Sequence, residues 1–349
     1  MSDHLVDGDL TLRHAVPEDA PDVLEVYTEP DIRHWMLWER DLPDLDAALA
    51  NIERSERAWA DGWGGVFRVV VDGHVVGGVN LHFVETAIGE LSYFLRASTR
   101  GRGLATRAVL LAADWGFREH GLMRVFLRAD PGNAGSAALA ERAGFSYEGT
   151  ERESAVYPDT GRRFDSRVYS LLPHERVTTR PAVEADVDFL TDAAMAATED
   201  QGRFPTDLDR AEYRAGFRTW TLEQVRGGVP DSTTSVVTAY GADVGRLRVV
   251  RTDGLVELAG LQLLPSHQGR GLGTRVIRDL MAEAAATGRA FGLSVEKDNP
   301  RARALYERLG LVVVGEDDDE LVMRMGTNAI PEAFFGGVWD QTPSAGPAD

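Results

Sequence analysis

The sequence predicts an α/β (α+β) protein made of two similar domains, each with a mixed, mainly antiparallel sheet flanked by helices. Three observations support this prediction. The chain has 349 residues, which is long for one hydrophobic core and comfortable for two domains. Short landmark sequences recur in both halves. Strand-like and helix-like segments also follow the same order in each half.

Four landmarks recur in the same order at a nearly constant offset, which chance does not easily explain. The matching segments are residues 12–19 and 179–186, 100–105 and 268–273, Asn133 and Asn299, and 144–145 and 310–311. A tandem duplication accounts for all four. We therefore expect a first domain over residues 1–173, a second over 174–326, and a C-terminal tail over 327–349.

Each half begins with a short strand, continues with two helices, and has three further strands before a Gly-rich motif. The predicted segments are 10–14, 18–27, 45–61, 67–71, 75–83 and 91–95 in the first half, and 177–180, 184–197, 209–226, 235–240, 244–250 and 256–263 in the second. After the motif we expect a helix, because apolar residues such as Val276, Leu280 and Ala284 recur at helical spacing. A strand (124–128; 291–295), a helix that begins at the Asn, and two closing strands complete each half.

The composition is that of an ordinary globular protein. Hydrophobic residues make up 43% and charged residues 27% of the chain, and no run approaches the ~20 apolar residues that cross a bilayer. The N-terminus lacks the basic and apolar regions of a signal peptide, so we expect a cytoplasmic protein. Cysteine is absent, which excludes disulfides, a thiolate nucleophile and cysteine metal sites, and we expect no metal.

The net charge is −19, and the acidic excess lies in both halves. Such a surface repels nucleic acid and anionic membranes, so we expect neither as a partner. It favours cationic small molecules or basic peptides. A solvated acidic surface that serves solubility explains the charge equally well.

The Gly-rich segment 261–274 has the chemistry of a phosphate site. A strand ends, a loop with Gly269, Gly271 and Gly273 follows, and a helix begins. Backbone N–H groups at the helix start and the helix dipole attract an anion, and glycines let a pyrophosphate approach the main chain. The motif lacks the Lys-Ser/Thr pair of a Walker loop and the position of a dinucleotide fingerprint. A Gly-rich helix entry without a ligand is the alternative, which two copies of the motif make improbable.

The pattern Gln/Arg-x-x-Gly-x-Gly/Ala after a strand resembles the pyrophosphate loop of the GCN5-related N-acetyltransferase (GNAT) superfamily. The helix that begins at the Asn resembles the downstream helix of that family, and together these features cover nearly everything but the tail. The resemblance implies that acetyl-CoA or CoA binds to both halves. The implied binding residues are Leu263, Gln268, Gly269, Arg270, Gly271, Leu272, Gly273, Thr274 and Asn299 in the second half, and Leu95, Arg100, Gly101, Arg102, Gly103, Leu104, Ala105 and Asn133 in the first.

Three residues of the second half have two interpretations each. The resemblance implies that Asn299 contacts the pantetheine arm, and it also has the sequence of a helix N-cap before proline; both roles can hold at once. Tyr306 would protonate the departing thiolate, or it is a core aromatic. Glu257 would act through water as general base, or it is an outward charge on a half-exposed strand. The strand's backbone N–H near Leu263 would polarise the thioester carbonyl.

The first half departs from this pattern, since Ala140 stands where the second half has Tyr306. The helix from Asn133 and the segments 148–152 and 161–172 resemble the ribosomal-protein N-acetyltransferase (RimJ/RimL-like) branch. That branch can use a serine as the general acid, and the resemblance implies this role for Ser136. The alternative is that Ser136 is only a small residue on the helix surface.

The register of the strand before the loop also differs between the halves. An ungapped alignment places Gly89, not Glu90, opposite Glu257. One residue of register reverses the face on which a side chain lies. Either a β-bulge corrects this, or Glu90 is not an equivalent base.

The resemblance therefore implies an N-acyltransferase that moves an acetyl or short acyl group from acetyl-CoA to a primary amine by direct attack on the thioester. The alternative is an acyl-CoA-binding regulatory or scaffold protein. Because of Tyr306, we expect turnover of small amines to depend on the second half. The acceptor is a small amine or a peptide N-terminus. Aromatic residues that could hold a cationic acceptor, or belong to the core, are residues 35–38, Trp59 and Trp63, and Phe204, Phe217 and Trp220.

Overall fold

A computed structural model describes residues 4–36, 42–157, 160–204 and 209–325. These residues form two compact units, which divide between Arg176 and Val177. Each unit is a mixed sheet flanked by helices, as the sequence predicts. The predicted tail over 327–349 lies outside the described residues, as do Leu37 and Trp38. None of the described helices has the length and apolar character to span a bilayer.

The first unit contains an eight-stranded sheet in the order β1-β2-β3-β4-β5-β6-β8-β7. Its elements are β1 His4–Asp7, β2 Leu10–Arg13, α1 Ala20–Thr28, α2 Pro30–Trp35, α3 Leu45–Ala60, β3 Gly64–Val71, β4 His74–Glu85, β5 Ile88–Leu95, α4 Leu104–Glu119, β6 Arg124–Ala129, α5 Ala134–Arg142, β7 Ser146–Val156 and β8 Arg163–Leu171. Only β5 and β6 pair in parallel among these strands.

The second unit contains a seven-stranded sheet in the order β14-β15-β13-β12-β11-β10-β9. Its elements are β9 Val177–Pro181, α6 Val187–Asp200, α7 Arg210–Val225, β10 Ser232–Ala239, β11 Ala242–Arg251, β12 Leu255–Leu263, α8 Leu272–Ala286, β13 Ala290–Glu296, α9 Pro300–Arg308, β14 Leu311–Glu316 and β15 Glu320–Met325. The strands β12 and β13 form its parallel pair. Strand β1 and helix α2 of the first unit have no counterpart among the described residues of the second.

Strand β1 and helix α2 are also the two elements that the sequence did not predict. Strand β1 is an edge strand of four residues that pairs only with β2. Helix α2 has six residues and begins at Pro30, where the missing N–H of proline is tolerated. That proline was the signal that could have identified the helix.

In each unit the hydrogen-bonded segment of the parallel strand pair ends before the first strand of the pair does. Strand β5 pairs with β6 only up to Leu91–Leu127 and then continues to Leu95. Strand β12 likewise pairs with β13 only up to Leu258–Leu293 and continues to Leu263. The two strands therefore separate just before the Gly-rich loop.

A β-bulge resolves the register question that the sequence left open. Leu258 and Gly260 of β12 pair with successive residues of β11, so Ala259 is the extra residue. Because of this bulge, Glu90 and Glu257 occupy the same place in the two parallel pairs. Each lies one residue before the leucine pair at which the pairing ends.

The end of the first unit is held to α4 by a buried ion pair. Asp114 of α4 is 6% exposed. Arg176 donates to its two carboxylate oxygens from Nε at 2.9 Å and from Nη2 at 2.7 Å. This hydrogen bonding raises the pKa of Arg176. The pair therefore fixes the segment that precedes Val177.

We predict that Arg176→Leu destabilises the first unit by about 3 kcal/mol, because it leaves the Asp114 carboxylate buried and unpaired. Urea denaturation of the full chain, followed by hydrogen exchange of peptides from α4, measures the change. Arg163→Leu is the matched control, since Arg163 forms an exposed pair with Glu153 at 3.9 Å and should cost at most about 1 kcal/mol. Equal effects of the two substitutions would contradict a role for the Asp114 pair.

Candidate functional site

A cavity of ≈ 950 Å³ opens in the first unit where β5 and β6 separate. The Gly-rich loop forms one end of it, and α5 and the strands form its walls. The lining residues include Leu95, Arg100, Gly101, Gly103, Leu104, Ala105, Asn133 and Ser136 of the predicted set, and Asp31, Trp35, Asn80, Glu90, Tyr93, Arg128, Asp130, Arg142 and Tyr157 beyond it. The structure thus brings most of the first-half candidates to one space.

The loop has the same backbone conformation in both units. Gly103 is the N-cap of α4 with φ 76°, and Gly271 is the N-cap of α8 with φ 79°. Residues other than glycine rarely adopt this left-handed conformation. A Cβ at Gly103 would meet nothing within 4 Å. Glycine is therefore required here by its backbone angle, and it leaves the space in front of the helix N-terminus open to an anion.

The side chain of the first residue of each motif donates a hydrogen bond to the last residue of the preceding strand. Arg100 donates from Nε to the Leu95 carbonyl at 3.1 Å, and Gln268 donates from Nε2 to the Leu263 carbonyl at 3.1 Å. Arg100 also donates to Asp31 of α2 at 2.8 Å. These side chains hold the loop against the end of the strand, so the backbone N–H groups of the loop are the groups placed for an anion.

Both candidate asparagines cap their helices. The Oδ1 atom of Asn133 accepts from the Ser136 backbone N–H at 3.0 Å, and that of Asn299 accepts from Ala302 at 3.1 Å. This bond satisfies one of the free N–H groups at the helix start. In the first unit it also fixes the turn that carries Ser136 beside the cavity.

Ser136 has a partner that the sequence did not identify. The hydroxyl of Tyr93 on β5 donates to Ser136 Oγ at 2.9 Å, and both side chains line the cavity. Burial raises the pKa of Tyr93. Ala140, which stands in the place of Tyr306, is 0% exposed. The first unit therefore places a tyrosyl hydroxyl beside α5 from a strand instead of from the helix.

Acidic and aromatic side chains also line the cavity. Glu90 accepts from Arg128 Nη1 at 2.8 Å. Arg128 also donates to Glu151 at 2.7 Å, and these bonds raise its pKa. Asp130 accepts from the Tyr157 hydroxyl and, at 2.7 Å, from the Gly132 backbone. Glu90 and Asp130 are thus held in fixed positions that a ligand in the cavity can reach.

In the second unit the candidate base Glu257 is buried and the candidate acid Tyr306 is half-buried. Burial raises the pKa of Glu257, and the charges of Arg324 and Arg248 oppose this shift. Glu257 Oε1 has no hydrogen-bond partner among the described residues. Burial also raises the pKa of Tyr306.

Large basic side chains occupy the neighbouring positions. Arg246 of β11 takes the place of Gly78, and Arg248 takes that of Asn80. Phe217 and Trp220 lie 5.3 Å and 5.1 Å from the Arg246 guanidinium, and Gln224 accepts from it at 2.6 Å. Burial, with the nearby charge of Arg248, lowers the pKa of Arg246 to about 9. The Arg246 guanidinium therefore occupies the space at the Phe217 and Trp220 rings where a cationic acceptor would bind.

The remaining aromatic candidates divide between core, surface and cavity. Trp59 donates to the Val66 carbonyl at 2.8 Å and contacts the rings of Phe67 and Trp115, so it belongs to the core. Trp63 is 58% exposed, and Trp35 lines the cavity. Phe204 contacts Tyr213 of α7. A smaller cavity of the second unit, ≈ 180 Å³, lies beside β9 and α8, away from residues 268–274.

Two family models match the chain, one in each unit. Residues 9–146 match the acetyltransferase (GNAT) domain, and residues 243–318 match the FR47-like protein family. YdaF of Bacillus subtilis (strain 168), which its name places among the ribosomal N-acetyltransferases, is 29% identical over 175 residues, 49% of this chain and 94% of YdaF. The N-acetyltransferase p20 of Bacillus licheniformis is 28% identical over 170 residues, 48% of this chain and 94% of p20.

Solved structures of two acetyltransferases are also similar to about half of the chain. The ribosomal-protein-S5-alanine acetyltransferase of Vibrio fischeri is 20% identical and covers 48% of this chain and 96% of its own, with a TM-score of 0.43. The ribosomal L7/L12 alpha-N-protein acetyltransferase RimL, in complex with coenzyme A, is 16% identical and covers 48% and 97%, with a TM-score of 0.44.

We predict that the stability of Glu257→Gln relative to the unsubstituted chain increases as the pH rises from 4 to 8. The raised pKa of Glu257 means that the folded state binds its proton more tightly than the unfolded state. The stability that comes from this proton is present at low pH and is lost as the pH rises through the folded-state pKa. Glutamine resembles the protonated form at every pH.

Urea denaturation of both chains at several pH values, followed by hydrogen exchange of peptides from β12, measures this difference. Glu307→Gln on the surface of α9 is the matched control, with a partner in Arg303. If the relative stability of Glu257→Gln falls with pH, the charges of Arg248 and Arg324 outweigh burial and the carboxylate is held ionised.

Proposed function

We propose that the chain is an acetyl-CoA-dependent acetyltransferase that transfers the acetyl group to a primary amine by direct attack on the thioester. The match of residues 9–146 to the acetyltransferase (GNAT) domain and the similarity to relatives named N-acetyltransferases support this proposal. We further propose that this reaction takes place in the cavity of the first unit. The observation that supports this placement is the continuity of the cavity. Residues of the Gly-rich loop line it together with Tyr93, Ser136, Glu90 and Asp130.

The loop and the strand edge are suited to the donor. The pyrophosphate would lie at the N-terminus of α4 against the backbone of Gly101 and Gly103, where the helix dipole favours negative charge. The pantetheine arm would then follow the edge of β5 beyond Leu91, where β5 no longer pairs with β6. A backbone N–H on that edge would donate to the thioester oxygen as it gains charge.

The chemistry requires two proton movements. The amine nitrogen forms a bond to the thioester carbon, the carbon–sulfur bond breaks, and the electron pair leaves with the sulfur. The nitrogen loses a proton, for which Glu90 is the acceptor we propose. The departing thiolate gains a proton, for which Ser136 is the donor we propose, because its hydroxyl belongs to the predicted set and lines the cavity. Positioned acids and bases of this kind typically contribute ~10²–10⁴-fold to a rate.

The acidic and aromatic lining of the cavity supports a cationic acceptor. Asp130 and Glu90 supply carboxylates, and Trp35 and Tyr157 supply aromatic faces that attract a cation. A free amine in neutral water is mostly protonated. These side chains would therefore bind the acceptor as a cation, before it loses a proton and reacts. The relatives named for ribosomal proteins favour a protein or peptide N-terminus over a free small amine.

A second function, acyl-CoA binding without turnover, is favoured for the second unit by Arg246 and Arg248. The loop from Gln268 to Thr274 has the geometry of the first-unit loop. Arg248, however, occupies the position of Asn80, which lines the first cavity, and Arg246 occupies that of Gly78 on the same strand. The sequence favoured turnover here because of Tyr306 and Glu257. We propose instead that the first unit turns over and the second binds.

We predict that Gly103→Glu abolishes one coenzyme A site and that Gly271→Glu abolishes the other. A glutamate at either position adds a negative charge to the anion site and forces a non-glycine residue to a positive φ. Calorimetric titration of the full chain with coenzyme A should show two sites, and one in each variant. Gly103→Ala and Gly271→Ala are the matched controls, because they impose the backbone strain without the charge. Unchanged binding in either Glu variant would contradict the site in that unit.

We predict that the chain releases free coenzyme A thiol from acetyl-CoA when a peptide with a free N-terminus is present, and that Gly103→Glu abolishes this release. Mass spectrometry of the peptide should show one added acetyl group. An N-formylated peptide of the same sequence is the control acceptor, since it has no free α-amine. If Tyr306→Phe or Gly271→Glu abolishes transfer while Gly103→Glu leaves it intact, the second unit is the catalyst.

A further inference from the structure

We propose that Tyr93 is a positioning residue for the proton that the departing thiolate receives, and that it acts through its hydrogen bond to Ser136. This inference rests on the proposed function of the first unit. Tyr93 belongs to β5, the strand whose free edge lines the cavity, and Ser136 belongs to the first turn of α5. Their hydroxyl oxygens are 2.9 Å apart.

The direction of this hydrogen bond determines where the Ser136 proton points. Tyr93 donates, so Ser136 Oγ is the acceptor. A serine hydroxyl has one proton and two lone pairs. Because one lone pair of Ser136 accepts the hydrogen bond from Tyr93, the Ser136 hydroxyl can donate its own proton to a second acceptor. Accepting a hydrogen bond also makes a hydroxyl a better donor, since neighbouring bonds polarise one another.

Two hydrogen bonds hold Ser136, one at its backbone N–H and one at its hydroxyl. Asn133 accepts from the Ser136 backbone N–H at 3.0 Å, which holds the turn. The phenol of Tyr93 holds the side chain. Tyr93 lies between Leu95, which is next to the Gly-rich loop, and Glu90, at the end where we place the amine. The two hydroxyls therefore lie between the anion site and the acceptor, where an extended donor places its thioester.

Two proton transfers, from Ser136 to the sulfur and from Tyr93 to Ser136, account for all charges. As the carbon–sulfur bond breaks, the sulfur takes the electron pair and receives the Ser136 proton. Ser136 Oγ receives the proton of Tyr93, and the charge moves to the phenolate. A phenol, with a pKa of ~10 in water, is a far stronger acid than a serine hydroxyl. Burial raises the pKa of Tyr93, and the charge of Arg142, which lines the same cavity, opposes this shift. Solvent then restores the proton to Tyr93.

The second unit supports a joint role for the two residues. The sheet register places Leu261 at the position of Tyr93, and the shared N-cap places Ala302 at the position of Ser136. Both hydroxyls are thus absent together in the unit that carries Tyr306.

Tyr93→Phe tests the proposal, because it removes one hydroxyl and little volume. We expect the kcat for acetyl transfer to fall by about 10²-fold, with the KM for acetyl-CoA and the calorimetric affinity for coenzyme A unchanged. Ser136→Ala should cause a similar loss, and the double variant should be no slower than the slower single variant, because the two residues act in series. The solvent isotope effect on kcat should increase in Tyr93→Phe if proton transfer becomes limiting.

Tyr147→Phe is the matched control, because Tyr147 is 55% exposed and bonds only to Thr150 among the contacts described for its hydroxyl. A rate for Tyr93→Phe within about twofold of the unsubstituted chain would overturn the inference, and so would losses that multiply in the double variant. If the unsubstituted chain transfers no acetyl group to any amine, the proposed function fails and this inference fails with it. An undiminished rate of transfer in Tyr93→Phe contradicts only the inference.

Discussion

The early end of the parallel strand pair is the constraint on which the rest of each unit depends. Strand β6 pairs with β5 only up to Leu127, and its remaining residues pair with β8. The edge of β5 between Leu91 and Leu95 is left facing the cavity. Buried backbone groups require hydrogen-bond partners, and an extended ligand with its own amides can supply them. The Gly-rich loop follows on the same strand, so one strand aligns both parts of such a ligand.

The two units share this frame and differ in the side chains beside it. A Cβ at Gly78 would lie 2.7 Å from the Phe94 ring, so the first unit has no room for a side chain there. The second unit has Arg246 at this position, enclosed by aromatic rings. Duplication thus preserved the loop, which depends on backbone conformation, while substitution changed the adjacent space, which depends on side-chain volume. The same fold consequently presents an open cavity in one unit and buried arginines in the other.

Local patterns predicted most of the elements because they depend on spacing along the chain. Helices with an apolar face, and strands between turn residues, leave a periodic signal. Strand β1 left none, since its four residues are a strand only through pairing with β2. The bulge at Ala259 likewise depends on the pairing of β12 with β11. Comparison of the halves revealed that the register differed and could not show how the sheet absorbs the extra residue.

The sequence by itself determined the duplication, the fold class, the glycines of both loops and the asparagine caps, because each depends on residues close together in the chain. Only the tertiary structure decided which hydroxyl faces Ser136. Tyr93 is 43 residues away from it and lies on a different element. The tertiary structure likewise decided the partners of Glu90 and Arg246, which lie on neighbouring strands and on a helix. Such contacts arise when elements pack, and no local spacing encodes them.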